Sequence, residues 1–325
     1  MGGISRERIG YAMSIQSAFQ LEPVFREYIW GGRRLRPQAE RTAEAWVVYE
    51  GDRIGSGPLA GQSLAEAAAQ LGAELLGSLP FARTGARFPL LIKLLDCADW
   101  LSLQVHPDDR LALELEGPGQ FGKTEAWHFI EAQAGAQILC GVQPGTPAAA
   151  LDEAIRGGTL LAHMRRLDVE QSSTIFIPAG MIHALGPGLL VYEVQQTSDW
   201  TYRVYDWDRP ATPQRPLHID KSIAAAKPEL SEDLRPLPAG EGVRPLVRCA
   251  YFTLESLVSS GAPLELATDG TSFHALTVID GAARLEGEGW ALELERFQTA
   301  LVPANLGAYR LLPRGGFHAL RACVA

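Results

Sequence analysis

Apolar residues fall along this chain in two rhythms. One is a short run, continuous or alternating; the other is the three-to-four spacing of a helix face. The first dominates. Residues 89–96 (PLLIKLLD) form a continuous apolar run with one lysine, and 101–106 alternate cleanly. Residues 173–178, 189–195 and 201–207 follow at short spacing. A second set closes the chain: 251–258, 273–279, 283–285, 291–294, 299–302 and 307–312. Between the runs, 33 Gly and 21 Pro act as punctuation, as many short strands joined by turns require. Helical spacing is confined to insertions. Residues 63–76 are rich in Ala, Leu and Glu, and Ser63 with Glu66 forms a capping box. Residues 147–166 predict two short helices broken at Gly157-Gly158, with Thr146 as cap and Pro147 in first position. A brief helical signal over 224–226 stops at Lys227, and the Pro-rich, charged stretch 228–245 reads as a connection. The expectation is an all-β protein with helical insertions, built as two β-barrels or sandwiches.

Alternation also sorts the polar groups onto faces. In LSLQVHPD (101–108), Leu101, Leu103 and Val105 share one face; Ser102, Gln104 and His106 share the other. Two readings stand: a half-buried strand with a solvated face, or a barrel strand whose polar face offers an amide oxygen and an imidazole to a metal. In GKTEAWHFI (122–130), Lys123, Glu125, Trp127 and Phe129 share a face opposite Thr124 and His128. Glu125 is then either a carboxylate ligand or an ordinary charged residue, and His128 points away from it. Residues 175–186 run through a Pro-Ala-Gly turn to His183. Residues 192–206 are dense in polar and aromatic groups, with Glu193 and Gln195 on one face and Thr201, Arg203 and Tyr205 on another.

One motif misleads. Residues 117–124 (GPGQFGKT) satisfy the GxxxxGK[ST] pattern of a phosphate-binding loop. That mechanism needs a buried strand before the loop and a helix after it. Here a charged, helix-like stretch (108–116) precedes, and an aromatic strand-like one follows. A nucleotide-binding protein is therefore a rival reading only.

Composition narrows the class. There are 29 Lys+Arg against 38 Asp+Glu, a formal net charge of -9, which argues against a general nucleic-acid binder. No apolar run has the length of a membrane span, and the first twenty residues lack the compact apolar core of a signal peptide. Four scattered cysteines without a CxxC pair suit a reducing cytoplasm. The chain offers Met1 and Met13 as starts, and residues 1–20 read as a disordered extension.

The motifs taken together resemble type I mannose-6-phosphate isomerases, in particular the short bacterial form. The matching stretches are 23–35 (PVFREYIWGGRRL), 89–109 (ending QVHPDD), 122–130 (GKTEAWHFI), 176–188 (FIPAGMIHALGPG), 192–209 (YEVQQTSDWTYRVYDWDR) and, weakly, 278–289. Two departures show: AEAW (43–46) stands where Gly-Glu-x-Trp is usual, a change that reads as barely touching the chemistry, and Trp200 replaces a smaller residue at the pocket rim. The resemblance implies two cupin-like β-barrels of jelly-roll type: a catalytic domain over 21–227, the connection 228–245, and a metal-free second domain over 246–325. It implies one Zn²⁺ held by Gln104, His106, Glu125 and His183. It places Lys93 and Ser102 near a phosphate, and Lys123, Glu193, Asp199 and Arg203 around a sugar. The implied reaction interconverts mannose 6-phosphate and fructose 6-phosphate through a cis-enediol. Zn²⁺ and Arg203 would stabilise the oxyanion, with Glu193 as base or Lys123 in its place. A non-catalytic sugar-binding or regulatory cupin is the other alternative. The expected partner is a small sugar phosphate, with neither nucleic acid nor membrane.

Overall fold

The computed structural model describes residues 16–210, 212–213 and 215–325. The expected extension 1–20 and the alternative start at Met13 lie for the most part outside these residues. Phe19 and Gln20, however, already belong to the strand Phe19–Glu22.

Strand formation follows the apolar runs, and the strands assemble into three antiparallel sheets. None closes on itself as a barrel. Six strands form the central sheet, ordered Thr174–Ile177, Glu125–Ala132, Leu189–Gln196, Leu90–Cys97, Glu44–Val48, Val24–Arg26. Facing it is a five-stranded sheet ordered Tyr202–Tyr205, Leu103–Val105, His183–Leu185, Gln137–Val142, Met164–Asp168. Leu95, Trp127, Phe129 and Ile175 from the first pack with Ile138, Cys140 and Leu185 from the second. The functional side chains described below lie at one end of this inter-sheet core. The other face of the five-stranded sheet is covered by the helices Asp109–Glu116, Ala148–Arg156 and Ile219–Ala225, whose Leu111, Leu151 and Ala225 meet Leu103, Val105 and Tyr202.

The third sheet has nine strands and holds most of the C-terminal third. Its longest members, His274–Gly287 and Ala308–Cys323, pair along most of their length and bend at register shifts. Phe252, Leu254, Phe273 and Leu320 pack against Ile92, Leu94 and Val194 on the back of the six-stranded sheet. Two N-terminal strands complete the nine: Phe19–Glu22 pairs with Thr299–Val302, and Arg53–Ile54 pairs with Phe19–Glu22.

The capping box forms: Ser63 accepts from the Glu66 amide, and Glu66 accepts from the Ser63 amide, at the start of the helix Leu64–Leu71. The second insertion differs from expectation. Only Ala148–Arg156 is α-helical; Pro147 stands at the N-cap position rather than the first helical one, and Thr146 does not cap it, since its hydroxyl donates to the Gln143 carbonyl at 2.7 Å. After one 3₁₀ turn, Leu160–His163, the chain becomes the strand Met164–Asp168. Pairing with Gln137–Val142 overrides the helical spacing there. The two runs 273–279 and 283–285 are one strand, because bulges carry pairing through Asp280 and Gly281.

Candidate functional site

Two rows of cross-strand neighbours face each other between the sheets. In the five-stranded sheet, Arg203, Gln104 and His183 lie side by side in register. In the six-stranded sheet the row is Trp46, Lys93, Glu193, Trp127. Aligned residues on adjacent strands project from the same face, so local alternation and register together aim these side chains into one space. Glu125 opens its strand on that face, two residues before Trp127. His128 points the other way, into the core behind, where its Nδ1 meets Thr174 Oγ1 at 2.9 Å and its ring stacks edge-on with His318.

His106, Glu125 and His183 form the metal-capable cluster among the described residues, all buried. His106 Nδ1 donates to the Trp200 carbonyl at 2.9 Å, and His183 Nδ1 donates to the Met181 carbonyl at 2.9 Å. Both rings therefore keep their Nε2 lone pairs for the interior, the arrangement that orients imidazole ligands. Those nitrogens stand 3.5 and 3.4 Å from the two Glu125 oxygens. The Gln104 amide reaches His183 Nε2 at 3.3 Å; rotating that amide would present its oxygen to the same point. Donors bonded to one tetrahedral ion at about 2.0–2.2 Å are separated by roughly 3.3–3.6 Å. The two His–Glu separations match that, and the ligand atoms of His106, Glu125 and His183 all lie within 4.8 Å of one another, so a shift of Lys123 and small side-chain adjustments would close the set around a metal. Neither Glu125 oxygen has a hydrogen-bond partner, although Lys123 Nζ lies 2.8 Å from Oε2. Burial, and then the Glu193 charge, push the Glu125 carboxyl up to about 7. A bound cation would relieve that cost.

The same space continues into a cavity of about 590 Å³ lined by Glu44, Lys93, Ser102, Gln104, Lys123, Glu193, Asp199, Trp200 and Arg203, with Arg215 and His218 also bordering it. Lys123 Nζ is 3.1 Å from His106 Nε2 and 4.0 Å from Glu193 Oε1. Lys123 does not stand on the strand beside Glu125; it belongs to the loop entering it. That loop follows the helix Asp109–Glu116 and precedes a strand, the reverse of a phosphate-binding loop. Glu193 Oε2 accepts from Trp127 Nε1 at 3.0 Å, while Oε1 has no hydrogen-bond partner. Burial raises the Glu193 carboxyl, but Lys123 and Lys93 outweigh it and hold it below the usual value.

Lys93, the odd charge in an apolar run, is buried among three carboxylates: Asp199 at 3.3 Å, Glu193 at 3.5 Å and Glu44 at 3.9 Å. Burial works against its charge, yet Glu44 and Asp199 keep it an ammonium. Arg203 contrasts with it. Among the described residues it faces no carboxylate within ion-pair distance, and its Nε lacks a partner. Sequence reasoning misses Glu44, since AEAW reads as remote from the chemistry. In fact Trp46 Nε1 donates to Glu44 at 2.6 Å, and both side chains reach Lys93. The Glu-x-Trp alternation on a strand is the signal that points to it. His218 and Arg215 carry no pattern; the loop after Tyr205 brings them to the cavity.

Residues 18–121 match the family model for the phosphomannose isomerase type I catalytic domain. A mannose-6-phosphate isomerase of Bacillus subtilis (strain 168) is 33% identical over 307 residues, covering 89% of this chain and 94% of the relative. A mannose-6-phosphate isomerase of Streptococcus mutans is 38% identical over 219 residues, covering 62% and 67%. The crystal structure of a mannose 6-phosphate isomerase from Bacillus subtilis superposes with a TM-score of 0.82 at 32% identity, covering 95% of this chain and 99% of that one. With sequence and architecture in agreement along nearly the whole length, the chain belongs to the type I phosphomannose isomerase family.

Proposed function

We propose that this protein is a zinc-dependent aldose–ketose isomerase that interconverts mannose 6-phosphate and fructose 6-phosphate in a reducing cytoplasm. The observation that carries the reading is the buried donor set His106, Glu125 and His183, with Gln104 beside it, opening on a cavity that also holds Lys123, Glu193 and Arg203. Two neutral imidazoles, a carboxylate and an amide oxygen suit Zn²⁺, which would supply a Lewis acid for negative charge on the substrate oxygens. We assign 21–227 to a catalytic cupin-like unit and 246–325 to a second one, joined by 228–245, both of jelly-roll type: the first as two facing sheets, the second as one long, bent sheet.

The reaction needs a base that takes the proton from C2 and returns it to C1 while the carbonyl moves from C1 to C2. Glu193 fits: it is held ionised, and its Oε1 is free of hydrogen bonds toward the cavity. Lys123 is the alternative, but it already lies 2.8 Å from Glu125 as its ion-pair partner. Arg203 would stabilise the cis-enediolate, since a guanidinium cannot quench it by giving up a proton. Lys93, Ser102 and Asp199 would bind substrate. The three carboxylates around Lys93 direct it to sugar hydroxyls rather than to the phosphate near which the resemblance places it.

The test is metal analysis of purified protein together with turnover of mannose 6-phosphate. One zinc per chain is expected, with activity lost to a chelator and restored by Zn²⁺. Sugar phosphate binding without turnover in the zinc-loaded protein would favour a regulatory cupin instead.

A further inference from the structure

The loop that carries Lys123 is pinned at three successive backbone amides, two of them by the segment 107–109 and the third by Gln196. Gly122 N donates to Asp109 Oδ1 at 2.8 Å, Lys123 N to the Pro107 carbonyl at 3.0 Å, and Thr124 N to Gln196 Oε1 at 2.9 Å. The first and third pins are themselves tied together, because Gln196 Nε2 donates to Asp109 Oδ1 at 2.9 Å. The other Asp109 oxygen accepts from the Tyr251 hydroxyl at 2.9 Å, across 142 residues of sequence. Tyr251 sits in a braced turn. Its amide donates to Cys249 Sγ at 3.4 Å, and Arg83 holds both Ala250 and the terminal Ala325 through their backbone oxygens. The glycine that imitates a phosphate-binding loop has its own reason here. A Cβ at Gly122 would lie 2.6 Å from the backbone of Asp108 and Asp109, so only glycine lets the two segments meet.

We propose that Tyr251, Asp109 and Gln196 are positioning residues for Lys123, and that through them the C-terminal unit fixes one wall of the catalytic cavity. The proposal rests on the isomerase reading, in which Lys123 faces the sugar. Tyr251 does not touch substrate; it acts by holding Asp109 against Gly122, and so Lys123 Nζ against Glu125 and His106. Geometry of this kind matters because misplacing a reacting group by about 1 Å can cost on the order of a hundredfold in rate.

Tyr251→Phe in the full-length, zinc-loaded protein removes one hydroxyl and little else. The expected result is a kcat for mannose 6-phosphate about tenfold lower, with KM within about twofold. Zinc content should stay as in the parent, and Tm should fall by only a few degrees, as loss of one hydrogen bond requires. Amide hydrogen exchange at residues 122–124 should be faster by about tenfold while the rest of the sheet core is unchanged. Exchange needs no turnover, so it tests the clamp even if the parent protein fails to isomerise mannose 6-phosphate, which would instead defeat the functional reading. Asp109→Asn should give the same pattern, and the double variant should be no worse than Asp109→Asn alone. Unchanged exchange at 122–124, fully additive losses, or a fall in kcat matched by loss of zinc or by exchange that is faster throughout the sheet core would overturn the proposal.

Discussion

Trp127→Phe separates the two bases proposed for the reaction, Glu193 and Lys123. Trp127 is buried, and its indole N–H is the hydrogen-bond donor to Glu193 Oε2, at 3.0 Å. The other oxygen has no hydrogen bond, so no neighbour replaces the lost donor. A hydrogen bond to a charged acceptor contributes about 1.5–3 kcal/mol. At about 1.4 kcal/mol per pH unit, losing it should raise the Glu193 pKa by roughly 1–2. The sign follows directly: Glu193 is held low by Lys123, Lys93 and this bond against burial, and removing one stabiliser of the anion moves protonation to higher pH. The acidic limb of kcat/KM against pH should therefore move up by about 1–2 units, with the plateau above it largely kept. Zinc should be quantified at each pH, so that ligand protonation is not mistaken for base protonation. The smaller ring also leaves a space near Phe129 and His183, costing about 1–3 kcal/mol of stability; the limb, read on folded protein, is independent of that. An unmoved limb with a depressed plateau would refute Glu193 as the base and turn attention to Lys123.

Other outcomes follow from the same geometry. His106→Ala and His183→Ala should lose the metal while His128→Ala keeps it, as read by elemental analysis of folded protein; equal loss in all three would contradict the strand register. Arg203→Ala should depress kcat strongly with zinc and fold intact, and Arg203→Lys should also be impaired; near-normal kcat would leave Arg203 a structural residue. Asp52 is a buried carboxyl without a hydrogen-bond partner, pushed up to about 8 by burial. Its folded pKa exceeds the unfolded one, so its contribution is complete below about pH 4 and is lost as pH rises toward 8, at about 1.4 kcal/mol per unit. Asp52→Asn should thus stabilise the protein by at most about 4 kcal/mol near pH 7 and hardly at all near pH 4. A stability gain equal at both pH values, measured by urea unfolding, would contradict this.

The strand inventory is legible in the sequence because buried strands show themselves as apolar runs or clean alternation: 89–96 and 189–195 are found within a residue or two as Leu90–Cys97 and Leu189–Gln196. Faces are legible for the same reason, since a period of two puts Glu125 and Trp127 on one side of their strand and His128 on the other. Long-range convergence is not. Nothing local says that Glu44 will meet Lys93, or that Arg215 and His218 will border the cavity, since those meetings depend on sheet order and on loop paths. The stretch over 160–166 defeats spacing because pairing with Gln137–Val142 outweighs helix propensity. Lys93 shows a third kind of limit. Its position in an apolar run marks it as unusual, but only the three surrounding carboxylates show that its charge is balanced inside the protein.

The pairing of Phe19–Glu22 with Thr299–Val302 bears on how the chain is made. Phe19 lies opposite Leu301, so during synthesis this early strand must wait for a partner about 280 residues behind it. At roughly 5–20 residues per second that interval is on the order of 15–60 s. During it, a strand with buried Phe19 and Leu21 can pair with Arg53–Ile54 on one side but keeps its other edge open, the condition under which nascent chains pair wrongly or recruit a chaperone. Once the last strands arrive, the early strand is sewn into the late sheet. A nick between 228 and 241 would then leave two fragments still joined by backbone hydrogen bonds, and shortening the N-terminus past Phe19 would unseat strands at the opposite end of the sequence.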